Sequence, residues 1–364
     1  MRATGVLLAL AVLTVLPAWP AGPKKEAALE SRELEVPASK GGPFKAFLPA
    51  GADAKHPCPL LLAFHGHGDT AANFFNGYKG LAAKEGFALI CPEGVEKVGA
   101  GFGWNGSHDL DQILGEALKP FLQAHPEVDA KRILWFGHSA GCWVCCKVGP
   151  TLPDLCQGIL LSAPPTADLA PGPEGSVPPR VCLFVGTADP NSAYFKEYTD
   201  KLKAAKCSFC ANRVTGLPHA LPDNAYLAAA LQWLLSGSEE PETEENTLPQ
   251  QPPSPAARSC RHLLIRHKGA KGAEPSTTRT VEAARKEAER LTDLLKKETH
   301  PEKRAALAAK SSQDAGTRAA GGLLTDKAAA EFGPLLLWTC WTAPAGEIRL
   351  VRTPSGFHCV WPEK

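Results

Sequence analysis

The chain has 364 residues, which is long enough for two domains that each bury a core. Its 44% hydrophobic and 21% charged residues are ordinary for globular protein, so any disordered stretch is local. The net charge of +1 hides an asymmetry, because residues from Arg258 onward carry about +7 and the rest about −6. Such a difference predicts different partners for the two parts.

The N-terminus is typical of an export signal. Arg2 precedes an apolar run from Val6 to Leu16, followed by small residues and prolines, so we expect a signal peptide over residues 1–21 with cleavage after Ala18 or Ala21. An uncleaved anchor is the weaker alternative, because the run is shorter than the roughly 20 residues that span a bilayer. The sequence therefore predicts an exported protein (periplasmic, cell-surface or secreted) without a membrane span after cleavage.

The twelve cysteines are an even number, and export would allow disulfides among them. Most of them lie in apolar runs, such as Cys91 in "ALIC" and Cys182 in "VCLFV", which is typical of small buried core residues. Cys207 and Cys210 form a CxxC that fits a local disulfide, a redox pair or half a metal site. Because no second CxxC or histidine pair accompanies it, we expect no metal and no cofactor.

Residues 28–235 form the first predicted domain, in which short apolar runs alternate with helical patterns. The predicted strands are Pro59–Phe64, Phe87–Cys91, Arg132–Phe136, Gly158–Ala163 and Arg180–Gly186. The predicted helices are Ala71–Glu85, Leu110–Ala124, Ala140–Val148, Ser192–Ala205 and Asn224–Leu235. This alternation predicts a doubly wound α/β fold, whose reactive groups lie at the carboxyl ends of the strands.

A GxSxG motif, Gly137 to Gly141, follows one predicted strand directly and opens a helix. A nucleophilic serine such as Ser139 needs this sharp turn, and the flanking glycines make room for its strained backbone. His67 lies in "HGHG" after an earlier strand, where a backbone N–H can complete an oxyanion hole with that of Ala140.

A carboxylate and a histidine follow Ser139, in the chain order serine, aspartate, histidine that is typical of this fold. His219 precedes the last helix and is the only histidine between His138 and His262. Asp189 alone lies just past a strand end, which favours it over its competitors Asp154, Asp168, Asp200 and Asp223.

These motifs resemble the α/β-hydrolase family, particularly its polyhydroxybutyrate-depolymerase and feruloyl-esterase-like branch. The resemblance implies that Ser139 is the nucleophile, His219 the general base and Asp189 the orienting acid in ester hydrolysis through an acyl-enzyme. Pro164–Pro179, where lids often insert, is short and has no helical period. An open site suits bulky, polymeric or surface-attached esters.

Residues 236–257 form the acidic, proline-rich stretch "SGSEEPETEENTLPQQPPSPAA". It contains one leucine and buries too little apolar surface to offset its chain entropy, so we expect it to stay extended and solvated. As a flexible linker it would let the two flanking domains move independently.

Residues 258–364 form the second predicted domain, a small α+β module. "SCRHLLIRHKGAK" predicts a strand and a basic loop, and the apolar spacing over Val281–Lys297 predicts an amphipathic helix. Pro301 opens another helix toward Ser311. The runs "EIRLV" and "FHCVW" predict a hairpin that pairs with the first strand. His262 and His358 then lie in strands, where buried histidines are usually structural.

The segments "RHLLIRHKG", "TRTVEAA", "SSQDAG", "PAGEI" and "TPSGFHCVW", in this order, resemble the parvulin family of peptidyl-prolyl cis-trans isomerases (PPIases). The resemblance implies that His262 and His358 are the family's paired histidines, with Asp314 beside them. It also implies two flanking hydroxyls and a proline pocket, formed by Thr353 and Ser355 and by Leu324, Phe332 and Leu336 respectively.

The same resemblance implies a basic loop that recognises phosphate or an acidic residue before proline, formed by Arg266, Lys268 and Lys271. A solvated loop is an equal alternative, because Gly272 stands where a second arginine is expected. The sequence thus predicts an exported bifunctional enzyme acting on X-Pro polypeptides and on an ester, with no nucleic-acid motif. The alternative is a folding helper whose hydrolase domain is a non-catalytic binding module.

Overall fold

A computed structural model gives the structure of the protein. It describes residues 30–37, 44–105, 113, 118–235, 243–248, 250, 259–325, 328–329, 332, 334–353 and 355–363. The predicted signal peptide lies outside these residues. Across the described ranges, no helix combines the length and the apolar character needed to cross a membrane.

A mostly parallel sheet organises the N-terminal unit. Its strands, with a separate hairpin β5–β6, are β1 Arg32–Val36, β2 Phe44–Leu48, β3 Cys58–Phe64, β4 Ala88–Cys91, β5 Glu96–Val98, β6 Gly101–Gly103, β7 Val128–His138, β8 Gly158–Ser162, β9 Arg180–Gly186, β10 Phe209–Val214 and β11 Thr243–Leu248. The order in the sheet is β1-β2-β4-β3-β7-β8-β9-β10-β11. β1 and β2 are antiparallel, and the pairs from β4 to β11 are parallel.

Helices cover both faces of this sheet. They are α1 Ala71–Glu85, α2 Lys119–Ala124, α3 Ala140–Lys147, α4 Phe195–Ala204 and α5 Asn224–Leu235. The Thr70 side chain accepts a hydrogen bond from the Asn73 amide at the start of α1, and Gly86 ends this helix in the left-handed conformation. Two apolar clusters, one on each face, bury the strands, which explains their continuous apolar sequences.

The predicted strands and helices of this unit are confirmed. For the predicted helix Leu110–Ala124, the structure confirms Lys119–Ala124, and most of residues 110–118 lie outside the described ranges. The sequence did not predict β1 and β2 at one end of the sheet or β10 and β11 at the other end.

Strand β11 corrects the prediction of a fully solvated linker. Thr243–Leu248 pairs in parallel with β10, and Leu248 is only 1% exposed within the apolar core. The Asn246 side-chain amide donates to Asn212 Oδ1 over 3.1 Å, and Lys203 pairs with Glu245 over 2.8 Å. The stretch forms a strand because the sheet offers an unpaired edge, which local composition does not reveal.

A four-stranded antiparallel sheet forms the C-terminal unit, in the order β13-β12-β15-β14. Its elements are β12 Cys260–Ile265, α6 Val281–Lys297, α7 Pro301–Ser311, α8 Ala315–Arg318, β13 Leu323–Leu324, α9 Pro334–Thr342, β14 Arg349–Thr353 and β15 Gly356–Pro362. The two long helices and the β14–β15 hairpin paired with β12 are confirmed. The buried stripe of α6 packs against this sheet at Leu263, Phe357 and Trp361.

The two units touch through α5 and α9, which pack against each other. A single apolar cluster contains Leu227 and Leu231 of α5 together with Leu336 and Trp341 of α9. This contact is contrary to the expectation that the two domains move independently.

All twelve cysteines are buried, and each carries a thiol rather than a disulfide. The prediction that most of them are small core residues is therefore confirmed. Burial raises the pKa of the thiols of Cys142, Cys145 and Cys156 well above the ordinary value. A thiol that stays protonated is a poor nucleophile and metal ligand, so these residues fill space.

Candidate active sites

Ser139 occupies a strained turn between β7 and α3, with φ 49° and ψ −117°. Both flanking glycines are required by close backbone contacts. A Cβ at Gly137 would lie 2.5 Å from the Cys142 amide nitrogen, and one at Gly141 would lie 2.2 Å from the Phe64 carbonyl oxygen. The turn therefore presents the serine hydroxyl at the carboxyl edge of the sheet.

Ser139, His219 and Asp189 form one hydrogen-bonded line. Ser139 Oγ lies 2.9 Å from His219 Nε2, and His219 Nδ1 lies 3.0 Å from Asp189 Oδ2. The second oxygen of Asp189 accepts a hydrogen bond from the Asn191 amide over 2.8 Å. Asp189 is 2% exposed, whereas the His219 side chain is 41% exposed. The carboxylate is thus fixed inside the protein while the imidazole and the serine face solvent.

A close approach at Gly186 brings His219 to this line. A Cβ at Gly186 would lie 1.9 Å from the carbonyl oxygen of Leu217, so only glycine lets the loop before His219 cross the end of β9. Asp189 lies three residues after the end of β9 and caps the 3-10 turn Pro190–Tyr194. Sequence analysis missed Gly186, and its only local signal is a glycine at a strand end.

Two of the competing aspartates contact lysines elsewhere. Asp168 pairs with Lys147 and Asp200 with Lys196, over 2.7 and 2.6 Å. The structure thus brings Asp189, the candidate that sequence analysis favoured, to His219.

The loop of the predicted oxyanion hole lies beside Ser139. A Cβ at Gly66 would lie 3.6 Å from Ser139 Cβ, so the loop runs in van der Waals contact with the serine. Within the described part of the chain, neither the His67 amide nor the Ala140 amide donates to a protein acceptor. Ala140 is the first residue of α3, where amides lack intrahelical acceptors.

The β5–β6 hairpin holds this loop in place. The Gly68 amide donates to the Phe102 carbonyl over 2.8 Å, and the Trp104 indole donates to the His65 carbonyl over 2.9 Å. Trp104 also packs its ring against His65, with centroids 4.6 Å apart. These contacts attach the loop to the hairpin and to the residue that follows it.

His138 is a second imidazole next to this line, with its ring centroid 5.6 Å from that of His219. Burial, assisted by the neighbouring His219, lowers the pKa of His138 to about 4. His138 is therefore neutral near pH 7 and adds no charge beside the serine.

The C-terminal unit contains a buried polar chain with a defined direction. The Ser355 amide donates to Thr353 Oγ1, which lies 2.8 Å from His358 Nε2. His358 Nδ1 lies 2.9 Å from His262 Nδ1, and His262 Nε2 lies 3.0 Å from Asp314 Oδ2. Because a carboxylate only accepts, His262 Nε2 donates to Asp314; with one proton on each imidazole, His262 Nδ1 accepts from His358 and His358 Nε2 accepts from Thr353.

Thr317 completes this chain, and sequence analysis missed it. Its hydroxyl lies 2.9 Å from His262 Nε2 and donates to Asp314 Oδ2. The signal was its position three residues after Asp314, one turn along α8. Ser355 contributes its amide to the chain; the resemblance implied its hydroxyl.

Burial controls the charges of this chain. His262 and His358 are 0% exposed, and burial lowers the pKa of His358 well below its ordinary value. Burial alone would raise the pKa of Asp314, but hydrogen bonds from His262 and Thr317 outweigh it and hold that pKa below the ordinary value. The described residues contain no group of three or more His, Cys, Asp or Glu side chains placed to hold a metal ion.

One of the three predicted pocket residues, Phe332, lies beside the two imidazoles. The Phe332 ring centroid is 5.0 Å from that of His262 and 5.0 Å from that of His358. Leu324 and Leu336 belong to the same apolar cluster as Phe332 and are 6% and 0% exposed. The two leucines are therefore buried in this structure, whereas Phe332 is half-buried.

The basic loop of Arg266, Lys268 and Lys271 is exposed to solvent, and a hydrogen bond within the loop holds its arginine. Lys268 and Lys271 are exposed, and the Arg266 guanidinium donates to the Lys271 carbonyl. Gly272 permits this arrangement, since a Cβ there would lie 2.9 Å from Arg266 Nη1.

Comparison with known families agrees with the C-terminal geometry. Residues 250–361 match the family model described as the PPIC-type PPIase domain. The C-terminal part of the chain is therefore a PPIC-type PPIase, or parvulin, domain, as its sequence resemblance implied. No curated protein matches the chain.

Three solved structures that resemble the N-terminal unit are a hydrolase and two esterases. The S-formylglutathione hydrolase of Agrobacterium tumefaciens is 15% identical, covering 56% of this chain and 93% of its own at a TM-score of 0.42. The carboxylesterase EstE1 from a metagenomic library is 17% identical over 58% and 90%, and an esterase of Rhizomucor miehei is 14% identical over 56% and 83%, both at TM-scores of 0.44. Because these scores are below 0.5, the class of this unit rests on its own parallel sheet and serine turn, which are those of an α/β hydrolase.

The neutral state of His358 predicts a pH dependence of stability. Below about pH 6.5 the unfolded histidine takes up a proton that the folded one does not. The free energy of unfolding should then fall as pH falls, by up to about 1.4 kcal/mol per pH unit for each such proton. Urea unfolding at pH 7.5, 6.5 and 5.5 measures this slope. His358→Gln should flatten it, and equal slopes in the two proteins would show that folded His358 also titrates.

Proposed function

We propose that this chain is a bifunctional enzyme, a parvulin-type prolyl isomerase joined to a serine ester hydrolase. The observation that carries the isomerase is the directed chain from Thr353 through His358 and His262 to Asp314, beside the Phe332 ring. The observation that carries the hydrolase is the hydrogen-bonded line of Ser139, His219 and Asp189.

For isomerisation, the chain needs no nucleophile. The barrier to rotation about the X-Pro bond comes from amide resonance. A dry, apolar pocket at Leu324, Phe332 and Leu336 would favour the twisted amide, which separates less charge than the planar one. The two histidines would form the polar floor of this pocket and hold its shape, because each imidazole is fixed by hydrogen bonds on both nitrogens.

Recognition before the proline would fall to the basic loop of Arg266, Lys268 and Lys271. Two exposed lysines and an arginine fixed by the Lys271 carbonyl support an attraction to acidic or phosphorylated residues.

For hydrolysis, His219 would accept the Ser139 proton as the hydroxyl attacks an ester carbonyl, and later return a proton to the leaving alkoxide. Asp189 would hold the imidazole tautomer that leaves Nε2 as the acceptor. The amides of His67 and Ala140 would stabilise the oxyanion, since both lack protein acceptors in the described ranges and flank Ser139. The 41% exposure of His219 supports an open site, which suits bulky or polymeric esters.

A non-catalytic binding module is the alternative for the hydrolase domain. Binding alone requires neither a strained serine nor a histidine aligned on both sides, yet both are present. Strain of this kind persists only where the surrounding structure maintains it. These features favour turnover.

We further propose that the protein is exported, on the strength of the N-terminal segment alone. Mass spectrometry of the mature chain from its native host should find cleavage after Ala18 or Ala21. A mature chain that retains Met1 would refute export by this signal.

The ester activity depends on one hydroxyl. With p-nitrophenyl acetate, Ser139→Ala should lower kcat/KM by at least about a thousandfold, because the acyl-enzyme cannot form. Ser176→Ala is the matched control, since the Ser176 hydroxyl donates to the nearby Pro173 carbonyl and should be dispensable. If Ser139→Ala hydrolyses the ester as fast as wild type, the domain is a binding module.

The isomerase pocket is tested by two adjacent leucines. Leu324 is 6% exposed and belongs to the apolar cluster against which Phe332 packs, whereas Leu323 is 40% exposed. In a protease-coupled assay on Ala-Pro and Glu-Pro peptides, Leu324→Ala should lower kcat/KM about tenfold or more through lost apolar contact. Leu323→Ala should leave it near the wild-type value. Equal effects of the two changes would place the pocket elsewhere.

A further inference from the structure

The contact between α5 and α9 joins the two candidate active sites. His219 lies five residues before α5, and the intervening Ala220 and Leu221 pack against the apolar cluster that α5 shares with α9. At the other end of this cluster, Phe332 packs against His262 and His358. Continuous apolar packing therefore leads from one site to the other.

Helix α9 is held between two partners. It packs against β14 and β15 of its own domain and against α5 of the hydrolase domain. Leu336, near the N-terminus of α9, is 0% exposed, and Leu324 in β13 is 6% exposed. A prolyl ring that is to contact these two leucines must first uncover them, and close-packed interiors yield by moving whole elements rather than by compression.

We propose that the hydrolase domain inhibits the isomerase site of the same chain. Binding of an X-Pro peptide would in turn disturb the alignment of the hydrolase site. The inference rests on the proposed function of both sites. In the closed state α5 holds α9 over the proline pocket, and the packing of Ala220 and Leu221 fixes the loop of His219. An X-Pro peptide binds when α9 moves away from α5, which releases that loop.

Coupling of this kind is reciprocal in free energy. A peptide that favours the open state weakens the alignment of His219. Conversely, a substitution that separates α9 from α5 strengthens peptide binding, because both effects depend on the same opening. Coupling energies between sites usually correspond to changes of about 5-fold to 150-fold in affinity.

The test compares variants on one face of α5. Ala228 is partly buried against the shared cluster, whereas Ala225, one turn earlier on the same helix and also partly buried, is not part of it. Calorimetry with a blocked Ala-Ala-Pro-Ala peptide should show binding at least about fivefold tighter for Ala228→Glu than for Ala225→Glu and wild type. Leu337→Ala removes apolar contact on the α9 side and should also tighten peptide binding. This milder variant provides the test if Ala228→Glu does not fold.

The reciprocal measurement uses ester hydrolysis. Saturating peptide should lower kcat/KM for p-nitrophenyl acetate at least about fivefold in wild type and leave it nearly unchanged in Leu337→Ala. Peptide affinity that is equal in all variants would overturn the proposed inhibition while leaving both activities standing. Failure of every variant to bind the peptide would overturn the inhibition together with the isomerase. If wild type lacks ester hydrolysis, the proposed hydrolase activity is wrong. The calorimetric comparison of peptide affinities would still test the proposed inhibition.

Discussion

Close backbone packing at the carboxyl edge of the parallel sheet is the constraint on which the hydrolase site depends. At Gly137, Gly141 and Gly186 any side chain would collide with a neighbouring backbone atom. These approaches turn the chain sharply at Ser139 and carry the loop of His219 across the end of β9. Three residues distant in sequence therefore meet with hydrogen-bond geometry, because the sheet brings strand ends together and glycine lets the loops reach them.

The two sites solve opposite electrostatic problems. The serine site must move a proton, so its imidazole is 41% exposed and hydrogen-bonded on one side by a buried carboxylate. The isomerase site moves no proton and needs a fixed, dry surface, so both imidazoles are fully buried and each has partners at both nitrogens. Burial that keeps His358 neutral also removes the cost of placing a charge beside an apolar pocket.

Local sequence patterns predicted what depends on local physics. The buried strands of the parallel sheet appear as continuous apolar runs, and α6 and α7 have clear periods and starts. Ser139, Asp189 and His219 could be chosen from motif and chain order, and His262 and His358 from the parvulin resemblance. Gly186, Thr317 and the contact of α5 with α9 could not, because their roles arise only when distant segments meet. Strand β11 was missed for the same reason, since its polar residues form a strand only against the edge of β10.

Strand β11 also changes what the connection between the domains can do. The predicted linker of residues 236–257 is shortened, so that residues 249–258 alone separate Leu248 of the hydrolase sheet from Ser259 at the start of the isomerase domain. Ten residues reach at most about 35 Å when fully extended, and much less as a coil. A short tether keeps the two domains at an effective concentration on the order of millimolar, and closing a short loop costs little entropy. Because the domains are tethered, a small apolar contact between α5 and α9 is enough to keep them together most of the time. A contact of small free energy is also one that the binding energy of a peptide can open.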